Sequence, residues 1–255
     1  MTMFTYWPLI KHITSREIKA RYKQSFLGLF WIILNPLFQM LILSFVFSHV
    51  VRFQTLGVPY SVFLFVGLLP WIFFETSISA STNALIENAS LIKQVYFPRE
   101  ILIFSTVFAK MFDFLLSSVI LLALLLVLDI DLGVMIFAMI PILLIQFLFT
   151  FGLALLLSSL NLFYRDVQYL FGLVLKLWFY VTPIIYPIDV FPANLRWLFA
   201  LNPLAYFIQT YRDILLEKQL PEFSSFAGNF IGTMILFIVS YWIFKKLEGS
   251  FADAV

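Results

Sequence analysis

Long stretches without a charged residue constrain this chain more than any other feature of its sequence. Residues 24–51, 53–74, 132–164 and 223–244 contain no Asp, Glu, Lys or Arg. A bilayer core about 30 Å thick requires roughly 20 apolar residues per helix, so each stretch is long enough to cross a membrane. Charged residues make up 12% of the chain, which is about half their share in soluble domains. The sequence therefore predicts an integral membrane protein.

Two further stretches carry few charges and bring the number of predicted spans to six. Residues 101–128 are apolar apart from Lys110 and Asp113, and residues 167–188 contain only Lys176. The six predicted transmembrane helices lie within residues 24–51, 53–74, 101–128, 133–158, 167–188 and 223–244. We expect an all-α polytopic membrane protein in which residues 1–255 form a single transmembrane domain.

The distribution of Lys and Arg predicts the orientation of the spans, because basic residues in short connections are retained on the cytoplasmic side. With the N-terminus inside, the inner segments hold ten basic residues and the outer segments hold four. The inner residues are Lys11, Arg16, Lys19, Arg21, Lys23, Lys93, Arg99, Arg165, Lys245 and Lys246, and the outer residues are Arg52, Arg196, Arg212 and Lys218. Both termini are therefore expected in the cytoplasm.

Two segments outside the spans have patterns of their own. Residues 1–24 place apolar residues on one helix face and lysines on the other, which is typical of an amphipathic helix lying in the cytoplasmic membrane surface. Residues 188–222, between spans five and six, are too apolar for a loop in open water. We predict two short re-entrant helices here, at 193–201 and 204–216, which break at Asn202-Pro203 and dip into the outer leaflet. A flat interfacial helix is the alternative.

Charged residues inside the spans are expected to be functional or paired, because each costs about 2.5 to 3.5 kcal/mol at a helix centre. The four such residues are Glu75, Lys110, Asp113 and Lys176. Two acids and two bases at similar predicted depth favour mutual neutralisation inside the helix bundle. A gate or a proton relay is the alternative, and it keeps a proton-coupled secondary transporter open as a function.

Composition excludes several kinds of site. None of the nine Gly residues precedes a Lys, so the chain has no G-x-x-x-x-G-K-[ST] phosphate loop. The chain has no Cys and only two His, so the sequence predicts neither a metal site nor a cysteine nucleophile. The net charge of +2 creates no field that would attract nucleic acid. A membrane-embedded glycosyl or acyl transferase would need convergent acids, for which the sequence offers only Asp189, Asp213, Glu217 and Glu222.

Several motifs, taken together, resemble those of a known family. In chain order they are REIKARYKQSFLGLFW (16–31) with Asn35-Pro36, FPREIL (97–102), NLFYRDV (161–167), TPIIY (182–186), Asn202-Pro203-Leu204 and Phe251-Ala252-Asp253. They resemble the permease subunits of ABC exporters for polysaccharides of the O-antigen, capsule and teichoic acid type. The match covers essentially the whole chain in the expected order.

The resemblance implies a homodimer of six-helix permeases joined to two separate ATPase subunits. Such a complex exports a lipid-linked polysaccharide across the cytoplasmic (inner) membrane. ATP and Mg would be bound by the partner subunit, so the chain itself would be neither an enzyme nor a cofactor-binding protein. The first inner loop resembles the family's coupling region, which implies ATPase coupling through Glu87, Lys93, Pro98, Arg99 and Glu100. A lipid or drug exporter permease is the alternative within this class.

A lipid-linked polysaccharide would need a place for its head group and a path for its glycan. Charge-assisted hydrogen bonds to a linking diphosphate would come from the cations of the N-terminal segment, Arg16, Lys19, Arg21 and Lys23. We expect the head group to enter there, with ordinary positive-inside anchoring as the alternative.

Aromatic residues recur every seven positions in two spans and therefore share a helix face. They are Trp31, Phe38 and Phe45 in span one, and Phe171 with Trp178 and Phe179 with Tyr186 in span five. Aromatic rings stack on sugar C–H groups without requiring fixed hydrogen bonds, so these faces suit a sliding glycan. Packing against lipid or neighbouring helices is the alternative.

Overall fold

The computed structural model describes residues 6–22, 27–48, 57–130 and 133–254. These residues form helices and connecting turns, and no β-strand occurs among them. The predicted all-α class is therefore confirmed. Lys23, His49 and Arg52, which entered the sequence predictions, lie outside the described residues.

The described residues form eleven α-helices. Their bounds are α1 (Trp7–Tyr22), α2 (Phe30–Val46), α3 (Tyr60–Glu87), α4 (Ala89–Gln94), α5 (Glu100–Val127), α6 (Met139–Phe163), α7 (Val167–Val181), α8 (Trp197–Ala200), α9 (Pro203–Arg212), α10 (Phe223–Leu247) and α11 (Phe251–Ala254). A 3₁₀ turn (Val134–Ala138) precedes α6, and a π-helical turn (Asp213–Glu217) follows α9. A further 3₁₀ turn (Glu248–Ser250) joins α10 to α11.

Four helical segments in the described part of the chain are long and apolar enough to cross a membrane. They are Tyr60–Glu87, Glu100–Val127, Val134–Phe163 and Phe223–Ser250, which correspond to predicted spans two, three, four and six. The helices at predicted spans one and five are shorter, with 17 residues in α2 and 15 in α7. The total of six spans therefore stays a prediction.

Three predicted boundaries were wrong. The end of span four is one of them, because α6 continues past residue 158 to Phe163. Helix α3 continues past Phe74 to Glu87, because the indole N–H of Trp71 donates to the Glu75 carboxylate at 2.9 Å and satisfies that charge within the helix. Helix α7 ends at Val181, well before residue 188. The physical reason is Pro183, which lacks a backbone N–H and disfavours helical geometry at the residue before it.

The predicted break of the outer segment at Asn202-Pro203 is confirmed. Before it, the chain forms a 3₁₀ turn (Ala193–Leu195) and the single turn of α8. The Asn202 side chain then caps α9 by accepting a hydrogen bond from the Leu204 N–H, and Pro203 occupies the first helical turn. Whether these helices dip into the outer leaflet stays a prediction.

Helix α3 lies at the centre of the bundle, where it contacts α2, α5, α6, α7 and α9. A buried polar bridge fixes three of these helices. The Gln146 amide of α6 donates to the Pro70 carbonyl of α3 at 3.0 Å and accepts from the Tyr211 hydroxyl of α9 at 3.0 Å. Because all three groups are buried, satisfied hydrogen bonds here specify one relative arrangement of the helices.

Proline and glycine residues also serve the packing. Pro36 inside α2 cannot donate to the Ile32 carbonyl, and the Ser117 hydroxyl of α5 donates to that carbonyl instead, at 3.0 Å. Gly67 of α3 leaves room for α9, because a Cβ there would lie 2.7 Å from an Arg212 nitrogen. The sequence thus lets neighbouring helices approach at defined points.

Candidate functional site

The five residues predicted to couple the chain to an ATPase lie in and around the connection between α3 and α5. This connection consists of Asn88, α4 and the non-helical residues 95–99. The structure divides the predicted residues into two groups. Glu87 and Lys93 are exposed, whereas the three others are half-buried or buried against the protein, namely Pro98, Arg99 and Glu100.

Arg99 and Glu100 contact the C-terminal end of α10. The Lys245 ammonium lies 2.8 Å from a Glu100 oxygen and 2.9 Å from a Glu248 oxygen. The Glu248 carboxylate also accepts a hydrogen bond from the Arg99 backbone N–H at 3.0 Å. Sequence reasoning missed Glu248, although the Lys245/Glu248 spacing of three residues was a usable signal for a shared helix face.

The start of the same connection is held by α1. The Arg16 guanidinium donates a hydrogen bond to the side-chain oxygen of Asn88, whose amide donates to the Ala84 carbonyl at 2.8 Å. Arg16 was predicted to receive a lipid head group, and the structure additionally connects it to the residue before α4. Sequence reasoning missed Asn88 because its partner lies 72 residues away.

Helix α1 packs on α5 and leaves a groove beside it. Ile10 and Ile13 are buried, and the Thr14 hydroxyl donates to the Ser105 carbonyl. The groove has a volume of about 1180 Å³, and its lining is mainly apolar with basic residues among it. Of the predicted head-group residues, Arg16 and Lys19 line the groove. Lys23 and the side chain of Arg21 lie outside the described part of the chain.

Glu75, one of the four intramembrane charges, has its hydrogen-bond partner within α3. Its carboxylate accepts from the nearly fully buried Trp71 indole, whereas Lys176 of α7 is exposed. Mutual neutralisation with Lys176 and a relay role both stay predictions.

Lys110 and Asp113, the other two intramembrane charges, line a separate cavity of about 230 Å³ between α2, α3 and α5. Asn35, Thr76 and Ser117 provide further polar groups on its wall. Among the described residues, the lining includes neither Glu75 nor Lys176. The structure therefore does not bring the four charges together in one cluster.

The aromatic residues predicted in span one lie on the surface of α2. Trp31, Phe38 and Phe45 are between 45% and 66% exposed. Since α2 contacts α3 and α5 with its other side, these rings are available to lipid, to a second copy or to a substrate. Their role in a glycan path stays a prediction.

The aromatic residues predicted in span five lie closer to the bundle. The Trp178 ring packs edge-on against Phe74 with a centroid distance of 5.4 Å, and Phe179 packs against Trp71 at 5.5 Å. Tyr186 follows the end of α7 and donates its hydroxyl to the Tyr180 carbonyl at 2.8 Å. Phe171 is half-buried.

A different face of α7 is the exposed one. Tyr169 and Tyr180 are 73% and 67% exposed, and Lys176 is exposed between them. Sequence reasoning missed both tyrosines because it searched only for strict heptads. The available signal was Lys176, because a Lys inside a span must face protein or water. Tyr169 and Tyr180 lie seven residues before it and four residues after it, and therefore on the same helix face.

Asn202 joins the end of α7 to the outer helices. Its side-chain oxygen accepts from the Trp178 indole at 3.0 Å, and its amide donates to the Thr182 hydroxyl at 3.0 Å. The two outer motifs recognised in the sequence, residues 182–186 and 202–204, therefore contact each other directly. They form one hydrogen-bonded junction at the C-terminal end of α7, which we call the hinge.

Arg212 holds the same hinge from α9. It was counted as an outer loop residue, but its side chain is 2% exposed. Its guanidinium donates to the Pro183 carbonyl at 2.6 Å and the Ile184 carbonyl at 2.7 Å, and it lies 3.6 Å from the centre of the Phe63 ring. Arginine suits this place because its planar fork reaches two carbonyl groups at once.

Comparison with known proteins places the chain in a family. The model of the ABC-2 type transporter family matches residues 8–216. The O-antigen export system permease protein RfbA of Klebsiella pneumoniae is 36% identical over 96% of this chain and 94% of its own length. The protein of the same name from Myxococcus xanthus is 33% identical over 99% and 97%.

A more distant relative is the polysialic acid transport protein KpsM of Escherichia coli, with 24% identity over 91% of each chain. The resemblance to permeases of polysaccharide ABC exporters, first noted from the sequence motifs, is thereby confirmed. The matched length and the identities are sufficient to conclude that the chain belongs to the family of ABC-2 type transporters.

Proposed function

We propose that this chain is the membrane-spanning permease subunit of an ATP-driven exporter. Its substrate is a lipid-linked polysaccharide of the O-antigen, capsule or teichoic acid class, carried across the cytoplasmic membrane. The observation that carries the proposal is the nearly full-length similarity to O-antigen export permeases. The apolar groove with basic residues beside α1 supports it, because a lipid-linked anion combines these two properties.

In this proposal the chain crosses the inner membrane six times with both termini in the cytoplasm. Helices α2 and α7 are spans one and five, α1 lies in the inner membrane surface, and residues 188–222 form the re-entrant outer segment. The ten-to-four distribution of basic residues supports this orientation.

The permease works as a homodimer, with the polysaccharide path between the two copies. The exposed aromatic face of α2 and the exposed Tyr169, Lys176 and Tyr180 of α7 support this arrangement. Behind this face lie three of the predicted aromatic residues, Trp178, Phe179 and Tyr186. The hydrogen bond from the Trp178 indole to Asn202 connects them to the hinge and holds the exposed face in place. Sugar rings stack on such aromatics and slide between equivalent weak sites.

Two separate ATPase subunits bind ATP and Mg and dock on the inner connection around α4. The exposed side chains of this connection support a protein contact, in particular Lys93 and Tyr96, whose ring is 88% exposed. A movement of α4 then biases the spans to which it is attached.

Affinity purification of the permease from its own host membranes tests the proposal. A subunit with Walker motifs should copurify, and surface polysaccharide should disappear when either gene is deleted. Export should stop when ATP is depleted and persist when only the proton gradient is collapsed. Export that follows the proton gradient instead would support a secondary transporter and contradict this proposal.

A further inference from the structure

The inner end of α5 is held by residues from the far end of the chain. We propose that Glu248 and Lys245 are positioning residues that fix the α4 connection so that ATP hydrolysis is transmitted to the spans. The inference rests on the proposed ATPase coupling at α4. We call the five residues that form this contact the inner clamp: Arg99, Glu100, Tyr241, Lys245 and Glu248. Tyr241 belongs to it because its hydroxyl donates to the Glu100 carboxylate at 3.5 Å.

The polar half of the inner clamp is a helix cap supplied from a distance. The first N–H groups of a helix have no partner within it, and carboxylates are stabilised near them. At the start of α5 the Arg99 N–H is bound by Glu248 from 149 residues away, and Glu100 lies in the first turn. Two carboxylates so close would repel each other, and Lys245 lies between them at 2.8 and 2.9 Å.

The apolar half of the contact is made by the last helical turn. Phe251 is fully buried, with ring centroid distances of 5.1 Å to Phe244 and 6.2 Å to Phe163. Helix α11, which begins at Phe251, packs on α4 and on α6. The C-terminal segment therefore contacts the α4 connection twice, at α4 itself and at Arg99.

The position of α4 is thus determined at both ends. Asn88 before it is bound by Arg16 of α1, and Arg99 after it is bound by Glu248. A partner that pushes on the exposed face of α4 acts against α5 and α10 through these contacts. Without the Glu248 carboxylate the same push would reach α5 less directly, because the residues 95–99 that link α4 to α5 are not helical.

The experiment compares Glu248→Gln with Glu248→Asp in the permease with its ATPase subunits. Two readouts are taken: surface polysaccharide per membrane-embedded permease, and the distance distribution between spin labels at Ser90→Cys of α4 and Arg165→Cys. The chain has no native Cys, so the labels are specific. Lys246→Met is the matched control, because its ammonium lies over Trp242 outside the inner clamp.

We expect Glu248→Gln to lower export by about five-fold or more at equal abundance, a typical size for a coupling effect, and to widen the label distribution. Glu248→Asp keeps the charge and should restore export to within about two-fold, as Lys246→Met should. If Glu248→Gln fails to reach the membrane, Lys245→Met tests the inner clamp from its other side, because it removes the cation that lies between the Glu100 and Glu248 carboxylates.

Normal export by Glu248→Gln, or reduced export with an unchanged label distribution, overturns the inner clamp as a positioning device. A second variant, Lys93→Glu, distinguishes loss of the inner clamp from failure of the proposed ATPase coupling at α4. If Lys93→Glu abolishes export while Glu248→Gln does not, coupling at α4 stands and only the inner clamp is lost. If both variants export normally, α4 is not the coupling site and both proposals fail.

Discussion

Helices α3 and α10 have similar lengths and both are apolar enough to cross a membrane, yet they lie in opposite surroundings. Within the most apolar 18 residues of each, 72% of α3 is buried inside the protein and 11% of α10 is buried. Helix α3 contacts six other helices, whereas α10 packs mainly on α6. One helix is a scaffold, and the rest of the chain leaves most of the surface of the other uncovered.

The difference teaches that hydropathy alone does not reveal what covers a membrane helix, because lipid tails are as apolar as Leu side chains. Both helices contain small and polar residues, and the difference is where these residues lie. Gly67, Ser77 and Ser81 of α3 are buried, whereas Gly228 and Gly232 of α10 are exposed. The burial of such residues, which lets helices approach closely, marks the protein-facing helix.

The largest effect is expected at the point where α9 crosses the scaffold helix. Arg212→Gln removes the donor fork from the Pro183 and Ile184 carbonyls, and the loss of a buried charged donor costs about 3 to 5 kcal/mol. We expect little folded protein in the membrane and a lower midpoint of thermal unfolding. Arg196→Gln, at an exposed ion pair with Asp189, should change stability by less than about 1 kcal/mol. Equal effects of the two changes would contradict the hinge.

The next effect separates buried from exposed aromatics. Trp178→Ala removes the ring contact with Phe74 and the indole hydrogen bond to Asn202. Truncation of a fully buried aromatic side chain costs about 3 to 5 kcal/mol. Because Trp178 is only half-buried, we expect a smaller loss of stability, seen as a lower unfolding midpoint. Phe38→Ala on α2 should leave the unfolding midpoint unchanged and slow export. Melting curves and surface polysaccharide measured on both variants check this. Normal export by a Phe38→Ala/Tyr180→Ala double variant would show that the exposed face is not the path.

A smaller effect is expected in the groove beside α1. Lys19→Gln should reduce export a few-fold, because it removes one cation from the groove lining. Arg16→Gln should reduce export further, since it also breaks the bond to Asn88. Asn88→Ala is the matched variant, because it breaks the bond without removing the charge. Export losses explained entirely by lower membrane abundance would favour simple anchoring by these basic residues.

The smallest effect is expected on the exposed face of α10. Ile235, which is 58% exposed, should tolerate substitution by Ala with a change in stability of about 0.5 kcal/mol or less and with normal export. A large loss of stability would show that a protein surface covers α10 in the membrane, and the comparison with α3 would then no longer hold.

The sequence predicted those parts of the fold that depend on local chemistry. Long apolar stretches located α5, α6 and α10 closely, and Asn202-Pro203 located the break between the outer helices. The early end of α7 was missed although Pro183 indicates it, because the apolar stretch continues beyond this proline. The extension of α3 was missed because the Trp71–Glu75 hydrogen bond makes a charge acceptable inside a helix.

The candidate site was predictable to a smaller extent. The motifs identified the inner connection and the hinge, but their partners lie far away in the chain. Asn88 is hydrogen-bonded by Arg16, the Arg99 N–H by Glu248, and the Pro183 carbonyl by Arg212. Such pairs follow from the packing of α3, α5 and α10, which hydropathy does not specify.

The central claim is ATP-driven export of a lipid-linked polysaccharide by this permease, and sealed inverted membrane vesicles test it most directly. In vesicles that hold the permease with its ATPase subunit, ATP should move the host's own lipid-linked polysaccharide into the lumen, where it is protected from added glycosidase. Vesicles lacking either subunit should show no protection. Protection that requires no ATPase subunit, or none in the complete vesicles, would contradict the account.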